Sequence, residues 1–541
     1  MTAAPSSGNL EGGPSRLAIE QAISSLRSGD PVDAERTLRQ RLAQHPADLD
    51  VMARLGDILA DQGRLVEAIL LYKRILSLAP KAHQVRIALA HLLHKLGQIK
   101  AALEEIDAAE GEGRTTFAAR TLEADLLGKL GIHDRELLVY EALIADFPGN
   151  AMLWKCIANT LKTVGRTEEA ITALRKAIKL MPTYGEAYWT LANLKTFRFA
   201  PRDLADMRKA LRGKLSPDDE LHFHFSLGKA LEDRDNAAES FRHYAAGNAI
   251  RAGQIGINNA VVTQRVNAAI AGFSRDFLEA RKDWGSKAPD PIFIVSLQRS
   301  GSTLVEQILA SHPMIEGTAE LIVLEQIWER LGAVEGRGRG SLAALSELPA
   351  EQIEALGNEY LERTRAFRLT DRPYFVDKLP ANWMNVGLIR LILPNAKIID
   401  ARRHPMACGF SNFRQNYASG VTFSYSQETI GAFYRDYWRL MNHFDAVDPG
   451  GVHHVINERL IEDTEGEVRR ILEFVGVPFD SGCLDFHTTR RAVHSASSEQ
   501  VRRPINRDGV DSWRPFEPWL GPMKQALGPA LENWDRFPVS R

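Results

Sequence analysis

A 34-residue period runs through the first 200 residues and restricts the fold more than any other feature of the sequence. Glycines recur with this spacing, at Gly29, Gly63, Gly97, Gly131 and Gly165. Prolines keep the same period, at Pro46, Pro80, Pro148 and Pro182, with Arg114 in the one missed position. A third series runs through Ala34, Ala68, Ala102, Glu136 and Ala170. A unit of this length buries its apolar face only against its neighbours, so the period predicts an α-helical solenoid.

The stretches between these positions have helical periodicity. VMARLGDILADQG and LVEAILLYKRILSLAP carry apolar residues at i, i+3, i+4 and i+7. A glycine suits the turn between two helices, an alanine lets the helices approach closely, and a proline ends the second helix by removing a backbone donor. Residues 16–200 resemble about five tetratricopeptide repeats (TPR). The resemblance implies a groove for a peptide or protein partner, although a spacer or a dimerisation arm has the same pattern.

Composition and charge exclude several classes of protein. The 541 residues include 67 Lys and Arg against 69 Asp and Glu, so no overall charge attracts nucleic acid or an anionic membrane. The three cysteines, Cys156, Cys408 and Cys483, form no CxxC pair, which argues against a disulfide framework or a metal site. With no leader-like or membrane-spanning apolar segment, we expect a soluble cytoplasmic protein. Residues 1–15, rich in Gly, Pro, Ser and Ala, are expected to be disordered.

The pattern changes at Asp290. Short apolar runs (PIFIVSL, YFVDK, KIIDA and VHHVI) alternate with amphipathic stretches, which is typical of a parallel sheet wound with helices. Residues 289–541 are therefore predicted to form an α/β domain, and residues 201–288 a degenerate TPR-like connector. In such domains ligands bind beyond the carboxyl ends of the strands.

The loop after the first predicted strand has the composition of a phosphate cradle. In Ser-Leu-Gln-Arg-Ser-Gly-Ser-Thr (296–303), the small residues Ser300, Gly301 and Ser302 let backbone amides converge on an anion at a helix N-terminus, and Thr303 adds a hydroxyl. A nucleoside triphosphatase loop has lysine after this glycine to reach a γ-phosphate, but Ser302 stands there and Arg299 supplies the charge. The loop therefore favours a nucleotide without a γ-phosphate.

A second anion site is predicted after KIIDA. Arg403 follows that strand directly and Ser411 lies eight residues further on in the next helix, so a guanidinium and a hydroxyl can hold a separate phosphate. A single nucleotide that carries one phosphate at its 5′ end and another on its ribose would account for both the loop at 296–303 and the Arg403–Ser411 pair.

These two segments resemble the donor-binding motifs of sulfotransferases that use 3′-phosphoadenosine 5′-phosphosulfate (PAPS). FIVSLQRSGSTLVEQILASHP is similar to the 5′-phosphosulfate loop of the tyrosylprotein sulfotransferase type, and Arg403 with Ser411 to its 3′-phosphate motif. The resemblance covers residues 290–530 and implies transfer of a sulfuryl group from PAPS, without a metal, to an acceptor hydroxyl of a protein tyrosine, a glycan or a small molecule. It also implies the roles of three further segments. These are Glu320 as general base, Lys378 as a contact of the sulfuryl group beside Arg299, and Ser497 and Arg503 as nucleotide contacts.

The sequence departs from that family at four positions. Gln298 replaces the usual proline of the loop, and Asn457 stands where tyrosine is common. Ile322 and Gln326 replace the basic residues that hold acidic peptides, so an acidic tyrosine-containing peptide is not the expected acceptor.

Two other functions fit parts of the sequence. A P-loop kinase or NTPase acting on a small molecule keeps the fold, but it requires Mg²⁺ and a lysine in the loop. An inactive TPR scaffold that only holds nucleotide also fits, although it gives no reason to keep Arg299, Glu320 and Lys378 together.

Overall fold

The computed structural model describes residues 14–109, 116–194, 197–256, 259–318, 320–333, 342–417, 420–489 and 501–537. The chain forms two compact units, the repeat unit (residues 1–176) and the C-terminal unit (residues 177–541). Residues 1–13 of the segment expected to be disordered lie outside the described residues, as does Arg114. The domain boundaries given above stay a prediction.

The repeat unit is built from consecutive helices that pack in pairs in its described part. They are α1 (Pro14–Arg27), α2 (Pro31–Gln44), α3 (Leu49–Asp61), α4 (Leu65–Leu78), α5 (His83–Lys95), α6 (Ile99–Asp107), α7 (Phe117–Lys129), α8 (His133–Asp146), α9 (Ala151–Thr163) and α10 (Thr167–Leu180), the last of which crosses into the C-terminal unit. Their buried apolar residues form a continuous core from α1 to α7, as expected of a solenoid in which each pair packs only on its neighbours.

All three periodic series have the predicted positions. The five glycines lie in turns with φ between +72° and +85°, a region in which a side chain is strained. The described prolines, such as Pro46 after Gln44 and Pro80 after Leu78, stand two residues past the end of a helix. The four alanines are fully buried. The helical-repeat prediction is therefore confirmed.

Glu136 shows how the solenoid accepts a charged residue in the alanine series. Its carboxylate is buried and accepts hydrogen bonds from Thr160 Oγ1 at 2.6 Å and His133 Nδ1 at 2.8 Å. Gly128 faces it, and a Cβ there would lie 2.9 Å from Glu136 Oε1. The larger side chain is thus accommodated by a glycine opposite it and by polar partners for both oxygens.

The C-terminal unit begins with more helices and continues with a sheet wound by helices. The first helices are α11 (Gly185–Asn193), α12 (Pro201–Ala210), α13 (Pro217–Glu232), α14 (Ala237–Ile255), α15 (Ala260–Gly272) and α16 (Arg275–Glu279). The strands are β1 (Pro291–Ser296), β2 (Ile315–Gly317), β3 (Tyr374–Asp377), β4 (Lys397–Arg402) and β5 (Val452–Ile456). The helices from β1 onward are α17 (Ser302–Ala310), α18 (Val323–Ala333), α19 (Leu342–Glu347), α20 (Ala350–Arg365), α21 (Val386–Ile392), α22 (Pro405–Phe413), α23 (Gln427–Val447), α24 (Asn457–Glu462), α25 (Thr464–Val475), α26 (Gly521–Leu527) and α27 (Ala530–Asn533). Short 3₁₀ turns occupy Pro380–Asn385, Phe423–Tyr425, Ser481–Cys483, Phe486–Thr488 and Arg514–Trp519.

The sheet is parallel throughout, with strand order β2-β3-β1-β4-β5. The four predicted strands are all present. β2 was missed because three residues are too short to produce a recognisable alternation.

The strand order positions the site. The chain leaves β1 toward β2 on one side and leaves the adjacent β4 toward β5 on the other, so a crevice opens between the two connections. The register pairs Ser296 with Ala401 and Phe293 with Asp377. The loop after β1, the residue after β3 and the residue after β4 therefore meet at one edge of the sheet.

Candidate active site

A cavity of about 580 Å³ lies at this edge of the sheet. Its lining includes the loop residues Arg299 and Gly301–Thr303, the predicted catalytic residues Glu320 and Lys378, and the predicted nucleotide ligands Arg403 and Arg503. Residues that are separated by up to 200 positions in the sequence thus face one space. Ser497 lies outside the described residues.

The loop after β1 has an unusual backbone. Arg299 has φ of +69° and Gly301 has φ of +97°, and α17 begins directly afterwards at Ser302. A left-handed conformation at a non-glycine residue costs free energy and is found at binding sites more often than elsewhere. Gln298 is held by its carbonyl, which accepts a hydrogen bond from Asn412 Nδ2 at 2.8 Å.

Asn457 lies directly against the loop. A Cβ at Gly301 would be 2.6 Å from Asn457 Oδ1, so this contact and the positive φ both disfavour a side chain at that position. Asn457, which stands where tyrosine is expected from the resemblance, also lines the cavity.

The two predicted phosphate clusters are adjacent. The Arg299 guanidinium donates from Nε to Ser411 Oγ at 3.1 Å, and Arg403 donates from Nη1 to the Arg299 carbonyl at 3.1 Å. Arg403 also donates from Nη2 to the Gly509 carbonyl. In this structure the Arg299 side chain therefore points toward Ser411, between the two predicted anion sites.

Arg403 is a buried cation in an environment that disfavours its charge. Its side chain forms no ion pair within the described residues, and its Nε has no hydrogen-bond partner there. Burial, together with the nearby Arg299 cation, lowers the pKa of Arg403 to about 10, and burial lowers the pKa of Arg299 as well. An anion placed between the two guanidinium groups would relieve this cost.

Lys378 lies between two carboxylates. Its ammonium is 2.5 Å from Glu320 Oε1 and 3.7 Å from Glu306 Oε2. Lys378 and Glu306 are buried, whereas the Glu320 side chain is 46% exposed and faces the cavity. The Glu320 carboxylate is therefore accessible from the cavity, while the Glu306 carboxylate contacts the lysine from a buried position.

The segment that carries Glu320 is fixed to β3. Thr318 Oγ1 donates to the Val376 carbonyl at 2.6 Å. The next strand residue, Asp377, is fully buried and accepts a hydrogen bond from the Tyr360 hydroxyl at 2.9 Å. Burial raises the pKa of Asp377 to about 7, so a second titratable group sits one residue before Lys378.

Several residues of the site were missed by sequence reasoning. Glu306 lies on α17 among apolar residues and resembles an ordinary helix carboxylate. Lys229 and Glu232 at the end of α13, and Asp233 directly after it, also line the cavity, although their segment was interpreted as a connector. Their i, i+3, i+4 spacing, which places them on one face of the helix end, was the one available signal.

The residues that distinguish this chain from peptide-acting relatives have different surroundings. Ile322 is 58% exposed, and Gln326 accepts a hydrogen bond from Arg363. Arg363 thus places a guanidinium beside Gln326, a position at which the resemblance led us to expect a basic residue.

Comparison with known proteins identifies both parts of the chain. Residues 291–481 match the profile of the sulfotransferase family. Tetratricopeptide-repeat profiles match residues 19–83, 59–126 and 157–184, in agreement with the repeat unit.

Related proteins cover the chain to different extents. An uncharacterised protein of Aquifex aeolicus (strain VF5) is 28% identical over 389 residues, which is 70% of this chain and 51% of that protein. Protein-tyrosine sulfotransferase A of Caenorhabditis elegans is 25% identical over 253 residues, 43% of this chain and 63% of that protein. The chain thus spans between half and two thirds of the length of these relatives. Among solved structures, the sulfotransferase domain of the Synechococcus PCC 7002 olefin synthase has 26% identity and a TM-score of 0.32, covering 43% of this chain and 90% of that one.

Within the described residues, the helices are all too short or too polar to cross a lipid bilayer.

Proposed function

We propose that the C-terminal unit transfers a sulfuryl group from PAPS to an acceptor hydroxyl, without a metal. The observation that carries this proposal is the buried Arg403 guanidinium, which lies beside the β1 loop in the same cavity as Glu320 and Lys378. A buried cation with no carboxylate partner among the described residues favours an anionic ligand.

The donor would be held at both ends. The backbone amides at the start of α17 and the hydroxyls of Ser302 and Thr303 would bind the 5′-phosphosulfate. Arg403, Ser411 and Arg503 would bind the ribose 3′-phosphate, with Ser497 as a further nucleotide contact. Arg299, whose side chain reaches Ser411 in this structure, would neutralise charge on whichever phosphate lies nearer.

Glu320 would accept the proton of the acceptor hydroxyl. The hydroxyl oxygen then forms the new S–O bond, the bond between sulfur and the bridging oxygen of the donor breaks, and adenosine 3′,5′-bisphosphate leaves with the negative charge. Lys378 and Arg299 stabilise that charge as it develops. Lys378 contacts Glu320 at 2.5 Å, so one ammonium can turn from the base to the sulfuryl group while Glu306 retains it.

The repeat unit would bind a peptide or protein, either as a partner or as a carrier of the acceptor. The three cysteines form no disulfide among the described residues, which suits a reducing compartment such as the cytoplasm.

The proposal is tested by the choice of nucleotide. At a hundredfold excess over its dissociation constant, adenosine 3′,5′-bisphosphate should stabilise the protein by about 2.7 kcal/mol, whereas Mg·ATP should have no effect. A stabilisation by Mg·ATP alone would favour the kinase instead.

Transfer itself is tested with labelled donor. Purified protein incubated with [³⁵S]PAPS and a cell lysate should label an acceptor, and the Arg403→Met variant should label it far more slowly at the same PAPS concentration. Binding of the bisphosphate without any transfer of label would leave the chain as a nucleotide-binding scaffold.

A further inference from the structure

The helices that precede the sheet form one wall of the active-site cavity. Six residues of the segment from α11 to α14 line it: Trp189, Arg198, Lys229, Glu232, Asp233 and Tyr244. They lie outside residues 291–481, the part that matches the sulfotransferase family, and belong to the same compact unit.

This wall is held firmly against the sulfotransferase domain. Asn248 Nδ2 donates to the Phe413 carbonyl at 2.7 Å from a fully buried position. The Phe241 ring stacks between Phe413 and Trp519, with centroid distances of 5.6 Å to each. Gln415 Nε2 donates to Asn193 Oδ1 at 3.3 Å. Side chains of α11–α14 therefore have defined positions relative to the catalytic residues.

Two cations of the wall share one carboxylate. Lys229 Nζ lies 2.5 Å from Asp233 Oδ1, and Arg198 Nη1 lies 3.2 Å from the same oxygen. Glu232 pairs with Arg414 and accepts a hydrogen bond from the Tyr244 hydroxyl at 2.7 Å. Glu232 is thus paired by a cation from outside the wall, whereas Asp233 contacts both Lys229 and Arg198. Burial lowers the pKa of Lys229, although the Asp233 carboxylate opposes the shift.

An apolar surface lies beside the catalytic pair. Leu379 and Pro380 follow Lys378 directly in the sequence, and Tyr417 and Val421 line the same cavity. The cavity of about 580 Å³ must also accommodate the donor, so the space left for an acceptor suits a small molecule rather than a folded chain.

We propose that α11–α14 supply the acceptor subsite, and that the acceptor is a small hydroxylated carboxylate. Its apolar body lies against Leu379, Pro380 and Tyr417, its hydroxyl faces Glu320, and its carboxylate is bound by Lys229 and Arg198. Lys229 and Asp233 are then specificity-determining residues. The inference rests on the proposed function, because it needs the sulfuryl donor at the opposite end of the cavity.

Two probes of nearly equal shape test the charge requirement. 4-Hydroxyphenylacetate and 4-hydroxyphenylacetamide are both phenols and differ by one negative charge. With PAPS as donor, kcat/KM should be at least about tenfold higher for the acid, the size of one charge-assisted hydrogen bond. Lys229→Met should remove this preference through a higher KM for the acid, and the exposed Lys214→Met should leave it unchanged.

A second variant of opposite charge separates binding from folding. Asp233→Asn leaves the two cations without their shared carboxylate, so the preference for the acid should increase severalfold. A change in the same direction in Lys229→Met and Asp233→Asn would mean that the pair only supports the fold, and the inference would be wrong.

The donor site is followed in parallel by the stabilisation that adenosine 3′,5′-bisphosphate gives. It should be equal in the wild-type protein and both variants. Normal stabilisation with no turnover of either phenol, or with equal turnover, overturns the acceptor subsite and leaves the proposed function standing. Loss of stabilisation in the wild-type protein would overturn the proposed function itself.

Discussion

Charged residues are placed differently in the two units of this chain. In the repeat unit, ion pairs such as Arg166–Glu169 lie on the surface, with about half of each side chain exposed, and the buried Glu136 carboxylate has polar partners within the unit. In the C-terminal unit, both side chains of the Arg402–Asp400 pair are fully buried, and Lys378 and Glu306 are nearly so. Surface charges keep a solenoid soluble at little cost, whereas a buried charge is retained only where a partner or a ligand compensates it.

Two neighbouring arginines in the C-terminal unit differ in the partners that compensate their buried charge. Arg402 has Asp400, the Tyr437 hydroxyl and the Trp534 carbonyl as partners. Among the described residues, the side chain of the next residue, Arg403, donates to two backbone carbonyls and contacts no carboxylate. We therefore predict different roles for these neighbouring arginines, a structural one for Arg402 and anion binding for Arg403.

The largest effect is expected at the proposed base. Glu320→Gln removes the group that accepts the acceptor proton, so the rate of label transfer from PAPS should fall by about 10²–10⁴-fold. The stabilisation by adenosine 3′,5′-bisphosphate should not change. The surface variant Glu347→Gln is the matched control. A loss of less than about threefold in Glu320→Gln would exclude a role as general base.

The arginine pair gives the sharpest contrast. Arg402→Met leaves the Asp400 carboxylate buried without its guanidinium, so the free energy of unfolding should fall by about 3–5 kcal/mol in a denaturant titration. Arg403→Met removes a charge that burial disfavours, so stability should stay equal or rise, while the Kd for adenosine 3′,5′-bisphosphate should increase by about 100-fold. Equal destabilisation in both variants would contradict the distinction.

Buried Asp377 predicts a pH dependence. Its pKa is raised to about 7 from 3.8, so the folded protein binds a proton that the unfolded chain has lost, and stability falls as the pH rises from about 4 to 7. Asp377→Asn cannot ionise, so its Tm relative to the wild-type protein should rise by a few °C between about pH 5 and pH 8. A constant difference across this range would show that the carboxyl titrates normally.

The turn glycines of the repeat unit should have a smaller effect. Gly131→Ala places a side chain at φ of +72°, with no neighbour within 4 Å, so the cost is conformational, about 1–2 kcal/mol. Gly149→Ala has equal space without the positive φ and should be neutral or slightly stabilising. Thermal melting of both variants measures the difference directly. Equal changes in Tm would contradict the attribution of the cost to the positive φ of Gly131.

The surface ion pairs of the repeat unit should have the smallest effect. Arg166→Ala breaks the 2.6 Å contact with Glu169, in which both groups remain in water, and Tm should change by less than about 1 °C. A larger change in Tm would mean that this exposed ion pair contributes more to the stability of the repeat unit than its solvent exposure indicates.

Much of this architecture could be predicted because it depends on local patterns. The glycine period, the prolines after the helices and the four apolar runs each fix a turn, a helix end or a strand through short-range sterics and burial. The loop at Arg299–Gly301 and the arginine after β4 followed from the same reasoning, since the carboxyl ends of parallel strands meet at one edge. Their roles in binding stay predictions.

The sequence by itself determined the helical repeats, the parallel sheet and the approximate place of the phosphate loop, because these depend on residues close together in the chain. Only the tertiary structure decided that Arg403 lacks a carboxylate partner within the described residues, that Glu306 lies behind Lys378, and that α13 forms part of the cavity. Those facts depend on burial and on contacts between residues 70 to 200 positions apart, and no local pattern records them.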